Sequence, residues 1–179
     1  MAEFLWIFWS FSLLGWVLER LFAAVTRSPR RRRRCLLLLP LCPVYGLGMA
    51  AVLALPPSLR SGWPLYLWGG LTATSVEYIY HWWGETFLGV SFWDYTGVFG
   101  NLRGRVCLPF SLAWGLLLFP AVYLVTPPVV ALADRVPVGV TWWLLLAFTA
   151  DAVCSLRFLA VTHDLEALRA VIWPVSGDR

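Results

Sequence analysis

The sequence predicts an all-α membrane protein, a bundle of five transmembrane helices. Of its 179 residues, 60% are hydrophobic and 13% charged, where a soluble domain carries about half apolar and about a quarter charged residues. It has twelve Trp, a residue that concentrates with Tyr at membrane interfaces. Its apolar runs are also long enough to cross a hydrocarbon core of about 30 Å at about 1.5 Å per residue.

Span one covers about residues 4–25, FLWIFWSFSLLGWVLERLFAAV, with Glu19 and Arg20 in its last third. It lacks a basic n-region and is too long for an h-region, so it reads as a retained helix rather than a cleaved signal. An Arg-rich loop, 26–34, follows. Span two runs over about 35–55. Pro40 and Pro43 flank Cys42 at its entry, so that entry is expected to be kinked or partly unwound and to form a site wall. After a short turn at 56–62, span three takes about 63–90, longer than the hydrocarbon is thick, which implies tilt or projection. Residues 91–106 form a polar, aromatic-rich turn. Span four, about 107–126, contains Pro109 and Pro120; a Pro-rich link, 127–138, leads to span five, about 139–161, with Asp151 near its middle. Residues 1–161 thus read as one transmembrane domain and 162–179 as a solvated cytoplasmic tail.

Five spans put the chain ends on opposite sides. With the N-terminus outside, the inner segments hold Arg27, Arg30 to Arg34, Arg103, Arg105, Arg157, Arg169 and Arg179, and the outer ones Arg60 and Arg135, eleven against two. Basic residues favour the cytoplasmic side, so the expected orientation is N-terminus outside and C-terminus cytoplasmic. The net charge of +4 is concentrated in the Arg30–Arg34 run. That pattern marks topology and contact with anionic headgroups rather than nucleic acid.

Glu77, His81 and Glu85 lie at steps of four on span three and therefore share a helix face. A charged acid at the bilayer centre costs roughly 2.5 kcal/mol or more, so that face should point into the bundle toward Glu19 and Asp151. Arg20, Arg103, Arg105 and Arg157 are the available counter-charges. These carboxylates could simply lock the helices together. Alternatively, they line a polar cavity open to the cytoplasm for a proton, a cation or a polar substrate. The Glu77–His81–Glu85 stripe lacks an HExxH arrangement or a second His, and no metal or other cofactor is expected. The cysteines Cys35, Cys42, Cys107 and Cys154 have no zinc-ligand spacing and read as small buried apolar residues. His163 reads as a solvated or interfacial side chain.

Several motifs resemble a bacterial family of small polytopic proteins labelled putative ABC-transporter type IV. Ser12, Gly15, Trp16 and Glu19 are similar to its S-x-x-G-W-x-x-E opening. Pro40 to Gly46, PLCPVYG, resembles its P-x-C-P-I-Y-G segment. Glu77-Tyr78, Glu85, Trp93-Asp94-Tyr95, Asn101 and Gly104-Arg105 follow its order and spacing, and Asp151 falls where its last span tends to carry an acid. The likeness spans roughly residues 8–155. Arg33, Arg34 and Cys35 stand where the family usually has Asn-Arg-Gly, and Leu39 replaces a Gly, so the loop there is expected to differ.

The resemblance implies a permease-like transport component in the bacterial plasma membrane. The chain has no GxxxxGK[ST], so ATP hydrolysis would belong to a separate ATPase subunit docked on the 91–106 turn or the Arg30–Arg34 loop. Five spans are few for a complete path, which points to a homo-oligomer or larger complex. The candidate cavity and substrate-binding residues are Glu19, Glu77, Glu85, Trp93, Asp94, Tyr95, Asn101, Arg105 and Asp151. Two other readings remain: a membrane-embedded enzyme acting on a lipid-linked substrate at Asp94, Asn101, Arg103 and Arg105, and a non-catalytic scaffold or sensor. No recognisable catalytic motif names a reaction.

Overall fold

A computed structural model of the chain describes residues 1–26 and 35–170; the Arg30–Arg34 run and the end of the tail lie outside the described residues. Helix α1 is Ala2–Thr26 and α2 is Pro43–Leu53. Helix α3, 62–88, is continuous, with π turns at Leu65–Gly69 and Gly84–Leu88. Helix α4 is Leu108–Ala133, α5 is Val138–Thr162, and a short α6, Leu165–Ala170, ends the description. The described residues contain no strand, only an isolated bridge between Leu102 and Val106.

Among the described residues, three helices are long and apolar enough to cross a membrane: Ala2–Val25, Leu108–Ala133 and Val138–Thr162. They carry large apolar side chains on their outer surfaces, including Leu21, Leu116, Leu124, Trp143 and Val161. Water-soluble monomers rarely expose apolar surface on this scale, whereas a bilayer covers it. Helix α3 is as long but carries Glu77, His81 and Glu85 and is not among the three.

Two expected spans are redrawn. The helix within 35–55 is confined to Pro43–Leu53, 11 residues, or about 16 Å. Leu39 and Cys42 each precede a proline, which disfavours helical backbone there, and Pro43 begins α2 where its missing N–H costs nothing. The non-helical entry is held by its neighbours. Cys42 donates its backbone N–H to the Ser12 carbonyl of α1 at 2.9 Å, a partner within the protein for a backbone group outside the helix.

The second correction concerns span four, which does not end near residue 126. Helix α4 continues through Pro127 and Pro128 to Ala133. These prolines lack the N–H groups that would bond the preceding turn. The helix widens into a π turn over Ala121–Val125, where the Thr126 hydroxyl donates to the Ala121 carbonyl at 2.8 Å, and the prolines fall in the first turn of the resumed helix.

Small residues set the closest helix approaches, as in other membrane bundles. A Cβ on Gly15 would sit 2.3 Å from the Tyr45 ring, so the tyrosine of α2 packs against α1 where a side chain is missing. A Cβ on Gly70 of α3 would lie 3.2 Å from Gly115 Cα of α4. One core cluster joins Ile7, Phe11, Met49, Val52, Leu65 and Leu118. The other gathers the 91–106 turn, through Phe92, Trp93 and Tyr95, with Leu159 of α5 and Leu165 and Leu168 beyond it.

Candidate functional site

The 91–106 turn is built by its own polar groups. Asp94 Oδ1 accepts the Thr96 N–H at 2.8 Å, and the Thr96 hydroxyl, followed by this amide, holds the Asp94 carboxyl below the usual carboxylate range. Asn101 donates to the Val98 carbonyl at 2.9 Å and accepts the Gly104 N–H at 3.2 Å. Tyr95 N–H reaches the Gly104 carbonyl at 2.8 Å, and the Trp93 indole donates to the Arg105 carbonyl at 2.7 Å. Gly104 has φ 70°, and a Cβ there would press within 3.0 Å of Asp94 Oδ1; both facts call for glycine. Asp94, Asn101 and Gly104 are thus turn-forming residues.

The acidic stripe of α3 divides between two partner sets. Glu77 is 2% exposed; its Oε1 accepts the Tyr95 hydroxyl at 3.2 Å and its Oε2 the Trp114 indole N–H at 2.7 Å. Two turns on, Glu85 accepts Arg105 Nε at 2.7 Å and His81 Nε2 at 3.1 Å. Arg105 also donates from Nη1 to the Tyr78 hydroxyl at 2.8 Å and lies over that ring. The Glu85 hydrogen bond raises the Arg105 pKa further above its already high value. The Ser91 hydroxyl, 3.2 Å from His81 Nε2, donates to the Trp93 carbonyl at 2.9 Å. The 91–106 turn is therefore fastened to α3 at both Glu77 and Glu85.

Glu19 and Asp151 do not meet this stripe as expected. The Tyr45 hydroxyl donates to Glu19, joining α2 to α1, and the Tyr45 ring meets Trp114 edge-on at 5.3 Å. Glu19 is thus linked to Glu77 through two aromatic side chains. Asp151 of α5 serves the irregular entry to α2: it accepts the Leu38 N–H at 3.1 Å, the Leu39 N–H at 2.9 Å and the Ser155 hydroxyl at 2.9 Å. Of the proposed counter-charges, Arg105 pairs with Glu85, while Arg20 lies 4.9 Å from the Trp16 ring centre.

A cavity of about 370 Å³ opens among α1, α2, α3 and α4, with Glu77 and Trp114 in its wall. Its other lining is aliphatic or aromatic, so it is an apolar cavity with one acid, unlike the acid-lined space expected. Glu19 borders a much smaller recess with Tyr45, Tyr80 and Trp93; Glu85 and Asp151 line neither. Among the described residues no group of three His, Cys, Asp or Glu side chains is placed to hold a metal.

Tyr45, Tyr78, His81 and Trp114 are the participants that sequence reasoning left out of the site. Tyr45 and Tyr78 stand inside the PVYG and E-Y motifs, and Trp114 is one of few N–H or O–H donors on α4. One bland expectation is also corrected. Cys35 and Cys42 are paired in a disulfide with Cα atoms 5.0 Å apart, whereas Cys107 is buried and free. His163 is exposed, as expected; at φ 53° it caps α5, and its Nδ1 donates to the Leu88 carbonyl at 2.6 Å, tying the ends of α5 and α3.

A family model described as putative ABC-transporter type IV matches residues 6–156. No curated protein and no solved structure gives a significant match.

Proposed function

The chain belongs to the putative ABC-transporter type IV family, and from that premise we propose that it is the permease-like component of a bacterial plasma-membrane transporter. It crosses the bilayer five times, N-terminus outside and C-terminus cytoplasmic. Helix α2, 11 residues long, and its folded, non-helical entry make up the second segment. Residues 1–161 are the transmembrane domain and 162–179 the cytoplasmic tail. The Arg distribution supports this orientation.

The observation that carries the reading is Glu77. A buried carboxylate faces a cavity from mid-helix and is bonded through Tyr95 to the 91–106 turn. Intramembrane acids mark substrate or ion pathways, and a turn attached directly to one can couple it to events at the cytoplasmic face. A separate P-loop ATPase docking on that turn would supply the energy, with a second copy of the chain completing the path. Glu19, Glu85, Trp93, Tyr95, Arg105 and Asp151 hold the elements around Glu77 in register.

Purifying the tagged chain from membranes in a mild detergent tests this. A P-loop subunit should co-purify, and Glu77→Gln should change solute flux in proteoliposomes. Isolation of the chain alone, with flux unaffected by Glu77→Gln, would sink the proposal. A scaffold or sensor is the second reading, favoured because Asp94, Asn101 and Gly104 spend their polar groups on the turn itself. For that reading, charge-to-neutral substitutions would alter stability and nothing else. A lipid intermediate accumulating in a deletion strain would instead favour the enzyme.

A further inference from the structure

The cavity beside Glu77 is a slot drawn out along the helices and open at its side. Its lining runs on α1 from Phe11 to Leu21 and on α4 from Trp114 to Val125, about 15 Å of each helix. A volume of about 370 Å³ over that length makes it long and narrow. At one end Phe22 of α1 meets Phe110 of α4 edge-on, ring centres 5.9 Å apart. At the other end α1 packs on the Thr126–Ala133 segment of α4. Between these closures the two helices part, and Leu18 of α1 and Leu117 of α4, both exposed, flank the opening. Both helices are long and apolar, so in a bilayer the gap faces hydrocarbon rather than water.

The interior presents apolar surface. Three lining side chains carry a polar atom, and each turns it to a protein partner: Tyr45 to Glu19, Glu77 to Tyr95, and Trp114 to Glu77. The other lining residues are apolar. Gly48 of α2 is buried on the floor, yet a Cβ added there would meet nothing within 4 Å. Space therefore begins at the α2 backbone itself. An apolar cavity stays dry and takes up apolar ligands instead, and about 370 Å³ falls in the customary size range of a ligand site.

We infer that the slot binds one acyl chain of a bilayer phospholipid, which enters sideways between α1 and α4 and lies along the helices, with its headgroup left outside. Burial of apolar surface holds the chain. Three features single out this occupant. The long axis of the slot runs with the membrane-crossing helices, which is the direction in which acyl chains lie. The closures at both ends leave the side as the way in, so the ligand comes from the hydrocarbon, where acyl chains are the most abundant species. The polar atoms in the wall are engaged by the protein, which suits a chain and not a headgroup. The inference rests on the membrane-spanning part of the proposed function; it depends neither on an ATPase partner nor on the charge of Glu77.

The full chain in phosphatidylcholine vesicles can be photolabelled with phosphatidylcholine bearing a diazirine midway along one acyl chain, and in a parallel sample with a free diazirine alkanol. The flanks of the opening and α5 meet bulk lipid in any case. The diagnostic crosslinks are those on Val44 and Met49 of α2, both buried, and on Ala73 of α3, all of which line the interior. The phospholipid probe should label them. The series Gly48→Ala, Gly48→Val and Gly48→Leu fills the slot from its floor. Inner labelling should fall along the series, roughly tenfold by the leucine, while α5 labelling stays unchanged. The alanine meets no neighbouring atom and gains helix propensity, so it should melt no lower than the wild type and keeps the series readable if the leucine fails to fold. Absence of inner labelling in the wild type, inner labelling that stays flat across the folded members, or inner labelling by the alkanol alone overturns the inference. Resistance to alkaline extraction reports separately on membrane insertion, and co-purification reports on the ATPase, so these failures are distinguishable.

Discussion

Trp114 of α4 donates its indole N–H to Oε2 of Glu77 on α3 at 2.7 Å, across 37 residues of chain. The bond fixes an acid deep in the bundle and sets one wall of the cavity. Trp114→Phe keeps the ring and removes the donor, leaving a buried oxygen short of a partner, which should cost about 1–3 kcal/mol. Thermal melts of Trp114→Phe, Glu77→Gln and the double variant should show coupling, the double costing less than the sum of the singles.

Arg105 divides its guanidinium between Glu85 through Nε and Tyr78 through Nη1. A lysine carries the charge but not the fork. Arg105→Lys should therefore lower the melting temperature nearly as much as Arg105→Ala. It should also speed trypsin cleavage at Arg103 in cytoplasm-exposed vesicles. A lysine variant indistinguishable from wild type in both assays would argue that charge alone holds the turn.

Asp151 supplies the acceptors that let residues 38 and 39 leave the helical path. Asp151→Ala strands those two N–H groups and should cost about 1–2 kcal/mol. Hydrogen exchange should rise at Leu38 and Leu39 and stay unchanged in α1.

The Asp94 carboxyl is held below the usual range by Thr96. A depressed carboxylate contributes stability above the unfolded-state pKa, near 3.9, and loses that contribution as pH falls through its folded value. Asp94→Asn should therefore melt slightly below wild type at pH 7, and the gap should close below about pH 4. The effect is small because the group is exposed. A gap that widens on acidification would contradict the assignment.

Much of this architecture was legible because membrane helices announce themselves by length and apolarity. The helices α1, α3 and α5 followed from that alone, and the proline pair around Cys42 correctly marked a broken entry to α2. Helix α4 ran past its expected end because Pro127 and Pro128 were read as breakers, whereas a π turn turned them into first-turn residues. The site was harder to read. Spacing placed Glu77, His81 and Glu85 on one face, and that face does turn inward, but helical period says nothing about which donors await it. The aromatic donors Trp114 and Tyr45 are apolar by composition and polar at one atom, so they were invisible to a search for charges. Asp151 looked like a fifth site acid because its true partners are backbone N–H groups, which no sequence pattern displays.

The account depends most on the chain crossing the bilayer five times with the turn below Glu77 on the cytoplasmic side. Phe99, 78% exposed in that turn, offers the most direct measurement. Phe99→Cys, in a chain whose native cysteines are replaced by serine, is treated with a membrane-impermeant maleimide in vesicles of known orientation. Labelling in inside-out vesicles and protection in right-side-out ones is the predicted result. Labelling in right-side-out vesicles would contradict the topology, and with it the proposed coupling of Glu77 to a cytoplasmic partner.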